Sequence, residues 1–387
     1  LKVTNGGYYN TAVGHDALSA NLDGLNNTAV GHEAGLFATT ADNSTFVGYQ
    51  AGKGITGTKL TGNRNTAFGA DAGLYLQGGA SENCIFGALA GDAITTGGEN
   101  CLFGMGAGGA IQTSIRNTFF GDDAGNTCTT GDSNVAIGHT AMGVGITTGD
   151  YNIAIGHAAG KLISSGTMNT VVGGFAGDAL TTGSGNTAVG YLALSLEDAH
   201  GYNTAVGHSA LPVLNAGADG NNVAVGYYSG FTTSTGIDNT FLGTGAGAFC
   251  TTGDNNTFVG RSAGIGITGT RLTGNDNTAV GENAGLLLQG AANSNTLIGS
   301  LAGDALTTGV ENTFIGYNSG TYQNDLTTGT GNTIAGAFST TTAVDSSFAS
   351  GLGYNIDCEA GYTTLGNSTS DIRAAHGNVT WATVSDQ

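Results

Sequence analysis

Proline is almost missing from this chain, with one residue, Pro212, in 387. A collagen-like triple helix is therefore excluded, because it needs abundant Pro together with Gly at every third place. Charge is also scarce: 10% of residues are charged, 9 are basic against 28 acidic, and the formal net charge is −19. Nine cations on so acidic a chain cannot neutralise a phosphate backbone, so no nucleic acid partner is expected. No apolar run approaches the roughly 18 residues that cross a bilayer, and no membrane insertion is expected. No signal-peptide pattern is present, and the chain opens LKVTNGG without an initiator Met, so it reads as an internal or processed piece of something longer. The five Cys are an odd number without zinc spacing, which implies neither a disulfide framework nor a metal finger.

What is abundant is Gly, at 71 residues, on a background that is 39% hydrophobic. The apolar residues are spread evenly, so the chain has surface to bury and is not a disordered segment. The phrase NTAVGHDAL at 10–18 returns as NTAVGHEAG at 27–35, and it keeps returning. A motif Gly stands at 14, 31, 48, 69, 87, 104, 121, 138, 156, 173, 190, 207, 226, 243, 260, 281, 299, 316 and 336, which makes 19 copies. Eleven of the 18 intervals are 17 residues and the others run from 18 to 21. A fixed turn that tolerates loop insertions is the signature of a solenoid rung.

Counting from the motif Gly, position −4 is Asn in 18 copies, with Ser44 the exception, and −3 is Thr in 14. Positions −2 and −1 are apolar in all 19, position +3 is Ala in 16 and Ser in 3, and +4 is Gly in 14. Four residues such as Asn-Thr-Ala-Val are too few for a helix, and their β-branched and apolar character predicts a short strand. Stacked in parallel about 4.8 Å apart, 19 such rungs would extend roughly 90 Å. Stacking places the Asn side chains in a ladder able to hydrogen-bond along the axis; Asn10, Asn27, Asn65, Asn117, Asn186, Asn239 and Asn312 are the residues singled out for it. Gly is expected at corners that need positive φ, and Ala where layers approach closely. The fold class is thus all-β, a parallel β-solenoid or β-roll of about 19 rungs. The divisions expected are a lead-in at 1–9, a repeat shaft at 10–336 and a different C-terminal segment at 337–387.

Adjacent strand residues point to opposite faces, so the two apolar positions make both faces greasy. One face fills the narrow lumen. The other would leave a continuous exposed patch on a monomer, which predicts a covering partner, most economically another copy of the chain. Residues 51–104 also match 263–316 at an offset of 212, with 35 of 54 identical, so a block of 12 rungs was duplicated together with its longer loops GITGTKLTGNR and GITGTRLTGND.

The phrases NTAVG and NIAIG, at 152–156, resemble the head repeats of trimeric autotransporter adhesins, the YadA-like left-handed parallel β-roll, and are similar to repeats in phage tail-fibre shafts. The resemblance covers 10 to about 340, although the adhesin rungs are shorter than 17 residues. It implies a left-handed homotrimer. The run GYTTLGNSTSDIRAAHGNVTWATVSDQ, with the single Trp381, resembles the stretch before the endosialidase-type intramolecular chaperone of tail fibres, which releases itself at a Ser-Asp pair; by that resemblance Ser385 and Asp386 mark the self-cleavage junction. Together these resemblances imply a structural fibre for host recognition and attachment, on a virion or at the cell surface, with a cell-surface glycan or protein as receptor. The alternative is a bacterial trimeric surface adhesin or self-assembling extracellular filament. A polysaccharide-cleaving fibre and an ice-binding solenoid rank below both.

Chemistry-bearing residues read as parts of the rung. His15, His32, His139, His157 and His208 directly follow the motif Gly, where symmetry could gather them around a metal, but Tyr49, Met105, Arg261, Glu282 and Ala337 share that position, as at a variable site. Asp132, Asn134, Asp254 and Asn256 suit tight turns as well as Ca²⁺. Cys84 and Cys101 stand at one register on neighbouring rungs and read as buried small side chains rather than a disulfide. GMGAGG at 104–109 lacks the strand, Lys and helix of a phosphate-binding loop. No catalytic residue, metal site or cofactor is expected, and the chain is not expected to be an enzyme.

Overall fold

A computed structural model describes residues 6–322, 326–378 and 380–383. The chain forms two compact units, Leu1–Leu192 and Ala193–Gln387. Among the described residues there is no helix, and the fold is an all-β parallel solenoid of about 21 turns.

In the first unit, eleven three-residue strands run from Thr11–Val13 to Thr187–Val189, each occupying −3 to −1 of one motif copy. Neighbours pair in parallel and in register, so Thr11 lies over Thr28, Ala12 over Ala29 and Val13 over Val30. The same register holds from Phe46 over Ala67 through Phe119 over Ala136 to Val171 over Ala188. In the second unit, eight strands from Thr204–Val206 to Thr333–Ala335 repeat the arrangement. Insertions are absorbed in the turns: the interval of 21 residues between Gly48 and Gly69 leaves Thr45, Phe46 and Val47 in register with Thr66, Ala67 and Phe68.

The lumen is filled mainly by three positions of the rung. Position −2 is fully buried, from Ala29 and Phe46 to Phe314 and Ile334, and the +3 Ala is buried throughout, as at Ala34, Ala124 and Ala302. Where +3 is Ser, the hydroxyl donates to a backbone carbonyl, Ser229 to Phe241 at 3.0 Å and Ser339 to Gly353 at 3.0 Å. Position +7 is the third, with Leu76, Ile94, Ile111, Ile163, Leu180, Leu214, Leu288 and Leu306 all fully buried. Volume is traded within the rung: Phe119 and Phe241 at −2 accompany the small Cys128 and Cys250 at +7, and Ala67 and Ala279 accompany Leu76 and Leu288. Leu18, Met142, Leu194 and Leu211 replace the Gly at +4, and each of those rungs carries Ala at −2.

The motif Gly is required twice over. Its φ lies at +131 for Gly14, +141 for Gly121 and +135 for Gly156, and a Cβ on Gly14 would stand 2.3 Å from the carbonyl oxygen of Gly31. Other corners do not depend on Gly. Position +2 takes a left-handed φ with Asp16, Leu89, Phe175 and Leu301, and −5 does so with Asn26, Tyr151 and Met168. Stacked neighbours impose that backbone, so residue type matters less there than expected from local preference.

The parallel stack runs past residue 336. Strand Ser350–Tyr354 pairs in parallel with Thr333–Ala335, and Tyr362–Asn367 pairs in parallel with Ser350–Tyr354, aligning Gly353 with Gly366. These two turns carry Ala349 and Tyr362 where other rungs have Asn, which hides them from a motif count of 19. Direction then reverses: Ser370–Ala375 pairs antiparallel with Tyr362–Asn367, and Ala382–Thr383 antiparallel with Ser370–Ala375.

Candidate functional site

Each strand places −2 inward and −1 outward, and the outward residues form the most extended surface feature of each unit. In the first, Val13, Val30, Phe68, Phe120 and Ile137 are exposed, Phe68 at 51% and Phe120 at 57%. Phe68, Phe86, Phe103 and Phe120 stack on four successive rungs with ring centroids 5.8, 4.6 and 5.6 Å apart. In the second, Leu242, Ile298, Ile315 and Leu352 are exposed at the same register. Single exposed apolar residues are ordinary on soluble proteins, but an in-register strip repeated every rung is not.

Beside that strip, at +1, lies a second column that includes rings. His15 stacks on His32 at 5.2 Å and His32 on Tyr49 at 5.5 Å. His139 stacks on His157 at 5.3 Å, their Nδ1 atoms 3.4 Å apart, and His139 Nε2 lies 3.6 Å from Asp122. His208 packs against Tyr227 at 5.4 Å. The His residues are thus spread along an outer face at one register.

Inside, the Asn residues are joined rung to rung. Asn10 Nδ2 donates to the Gly24 carbonyl at 2.7 Å, and Asn10 Oδ1 accepts from the backbone N–H of Asn27 at 2.8 Å. Asn27, Asn65 and Asn117 donate to the carbonyls of Ala41, Ala80 and Gly131 at 2.6, 2.7 and 2.9 Å. Asn186 donates its backbone N–H to Asn169 Oδ1 at 2.9 Å, and Asn239 and Asn312 donate to Gly253 and Gly329 at 2.9 and 2.8 Å. Ser44 takes part with its hydroxyl, which accepts from the N–H of Asn65 at 3.2 Å. These residues are buried except for Asn10 at the first rung, and their role in the geometry is to hold the stack.

The turn residues are used by the backbone. Asp132 Oδ1 accepts from Ile115 N–H at 2.8 Å, Asp254 Oδ1 from Ile237 N–H at 2.9 Å, and Asn134 and Asn256 belong to the internal ladder. All five Cys are free thiols, with Cys84 directly over Cys101. Burial pushes the thiols of Cys128, Cys250 and Cys358 up to about 12, and burial followed by the neighbouring Cys101 raises that of Cys84. Such thiols stay protonated at neutral pH. Ser385 and Asp386, the expected cleavage pair, lie outside the described residues.

One group escaped the sequence reading. Glu197 occupies the lumen register +7, where most rungs carry an aliphatic side chain, and is fully buried. Its Oε1 accepts from the backbone N–H of His200 at 3.0 Å and lies 3.0 Å from His200 Nδ1. Ligand atoms of Glu197, Asp198 and His200 lie within 4.8 Å of one another, the one such group of three among the described residues. The signal was a carboxylate at a register that is mostly aliphatic. Among the described residues no helix is long and apolar enough to cross a membrane.

Three recesses open on the outer faces. One of about 430 Å³ in the first unit is lined by Glu33, Gln50, Lys53 and Tyr75 among others, with Lys53 Nζ and Gln50 Nε2 each 2.7 Å from Glu33 Oε2. Another of about 400 Å³ lies around Leu89, Met105 and Gly106, on the GMGAGG phrase. The third, of about 300 Å³, lies in the second unit around Tyr227, Tyr228 and Phe249. No protein-family model matches the chain, and no curated protein matches it.

Proposed function

We propose that this chain is a structural fibre protein for attachment to a cell surface, the shaft and receptor-binding end of a phage tail fibre, working as a homotrimer on the virion. The observation that carries the reading is the in-register apolar strip at −1, with Phe68, Phe86, Phe103 and Phe120 stacked in the first unit and Leu242, Ile298 and Ile315 exposed in the second. A strip that recurs at each rung calls for a partner that recurs with it, and two further copies related by a threefold axis cover it equally on every chain. The role is attachment by side chains that remain outside, from turns and from 337–387, to a surface glycan or protein. A bacterial surface adhesin would use the same build, and the two differ in what the fibre is anchored to.

The test is twofold. Native mass spectrometry should give three times the 38.1 kDa of the single chain. Fluorescently labelled protein should bind intact cells of a susceptible bacterial strain and block virion adsorption to them. A monomer at micromolar concentration, or binding to no cell type that adsorbs the virion, would overturn the reading.

A further inference from the structure

The duplication of 12 rungs reaches further back than its most similar stretch. At the same offset of 212, Gly14, Gly31 and Gly48 correspond to Gly226, Gly243 and Gly260. The first and third recesses therefore share a duplicated part of their lining: Glu33 corresponds to Gly245, Gln50 to Ser262, Lys53 to Ile265 and Phe37 to Phe249. The copies have diverged in chemistry. In the first unit the site is bridged by the ion pair of Lys53 and Glu33, with Gln50 beside it. In the second unit none of the lining residues is charged.

The uncharged copy is a slot with one layer of side chains left out. Position +2 carries Tyr228 on the rung before and Ser262 on the rung after, but Gly245 between them. One missing layer in a stack of strands leaves a gap of about 4.8 Å. Rings line one side, with Tyr227 and Tyr228 centroids 4.0 Å apart and Tyr228 and Phe231 centroids 4.6 Å apart; Phe249 and Ile265 line the rest. Hydroxyls of Tyr227, Thr244 and Ser262 stand among the lining residues, with Tyr227 and Thr244 exposed.

We propose that this recess binds one neutral sugar ring, a pyranose held by its apolar C–H face against Tyr227 and Tyr228 and by its edge hydroxyls at Thr244 and Ser262. The proposal deepens the attachment reading and rests on it. The lining itself gives an anion or a cation nothing to pair with, which disfavours phosphates, uronates and amino sugars in their charged form. A recess with tilted rings on one side and the hydroxyls of Thr244 and Ser262 in its lining suits a ligand that is apolar on its faces and polar at its rim. The charged sister site, bridged by its own ion pair, does not offer that match.

The recess can be filled without disturbing the rung. Gly245 has φ +68, and a Cβ there would meet Ile265 Cδ1 at 3.5 Å, an ordinary contact. Leu89 and Leu301 occupy the same register at φ 58 and 59, so the backbone accepts Leu. The full chain, Gly245→Leu and Tyr227→Ala would be titrated with methyl glycosides of glucose, galactose and mannose, read by saturation-transfer NMR and calorimetry, with methyl glucuronide as the charged control. Millimolar binding of at least one neutral glycoside, weakened about tenfold or more in both variants and not seen with the glucuronide, is the expected result. No binding of any neutral glycoside, equal binding by Gly245→Leu, or a changed native mass in that variant, which would make the recess a contact between copies, would overturn the proposal. Cell adsorption measured on the same samples separates the two readings: wild-type protein that adsorbs while no glycoside binds sinks the recess and leaves the fibre standing, and wild-type protein that adsorbs to no cell sinks the fibre.

Discussion

The side-chain nitrogen of Asn239 donates to the side-chain oxygen of Asn222 one rung earlier, at 3.1 Å, and also to the carbonyl of Gly253 one rung later, at 2.9 Å. Its own oxygen accepts from both the N–H and the Nδ2 of Asn256, at 2.9 and 3.2 Å. One fully buried amide thus serves three rungs. Asn239→Ala would leave the Asn256 N–H unpaired out of reach of water and the Gly253 carbonyl with only the weak Cys250 thiol donor at 3.9 Å, an unpaired group costing about 1–3 kcal/mol. We expect a loss of roughly 2–4 kcal/mol in denaturant unfolding of the full chain, and a loss under about 0.5 kcal/mol would contradict the ladder's role.

A pair of glycines should respond very differently to the same change. Gly156→Ala puts a methyl 2.6 Å from the Gly173 carbonyl oxygen at a φ of +135, so a loss above about 3 kcal/mol is expected. Gly57, in the long loop, has open space at its Cβ, and Gly57→Ala should stay within about 0.5 kcal/mol. Thermal melts of the two variants side by side decide the matter.

If copies of the chain cover the −1 strip, charge placed on it should separate them while the rungs survive. Phe86→Glu together with Phe103→Glu sets like charges on stacked neighbours 4.6 Å apart by ring centroid. The expected outcome is a native mass reduced to that of one chain, with the far-UV spectrum retained. An unchanged oligomer would mean the strip is not the contact.

Thiol reactivity should follow burial. Cys84 and Cys101 are only half-buried, whereas Cys128, Cys250 and Cys358 are buried with thiols raised to about 12. Counting maleimide adducts by intact mass, native protein should label at two sites or fewer and denatured protein at five. Labelling of Cys250 under native conditions would refute the lumen packing.

The ion pair of Lys53 with Glu33 gives a pH dependence of known sign. The hydrogen bond from Lys53 holds Glu33 below its ordinary 4.5, against a smaller opposing effect of burial, with Gln50 adding to the lowering. A lowered folded-state value stabilises above the unfolded one and is lost as pH falls through the folded one. The melting temperature of the native chain should therefore drop relative to that of Glu33→Gln as pH is taken from 5.5 to below 4, read by a pH series of melts; parallel curves would rule the contribution out.

The rung was readable because Asn, Gly and paired apolar residues each answer a demand that returns at every turn. Ala12 and Val13 already say that one face is inside and one is outside. What stayed hidden is what the stack imposes rather than what the residue prefers. Phe175 and Tyr151 adopt left-handed backbone because their neighbours above and below do. The strands Ser350–Tyr354 and Tyr362–Asn367 pair as rungs without the Asn that marked the others, since Ala349 N–H still finds Asn332 Oδ1 at 2.9 Å. The recess at Gly245 was invisible because a gap is a property of three rungs together, and Glu197 because its register, +7, was not among the positions the motif defined.

The reversal at Ser370–Ala375 has a consequence for what can be added to the stack. A parallel rung offers its open edge to another parallel rung, so a stack left open is a template on which a second copy's first strand could seat itself. An antiparallel strand laid over Tyr362–Asn367 presents a different spacing of donors and acceptors, one that the Thr-Ala-Val strands do not match. At that edge a Thr-Ala-Val strand of a second copy does not find the register that a parallel rung would offer it.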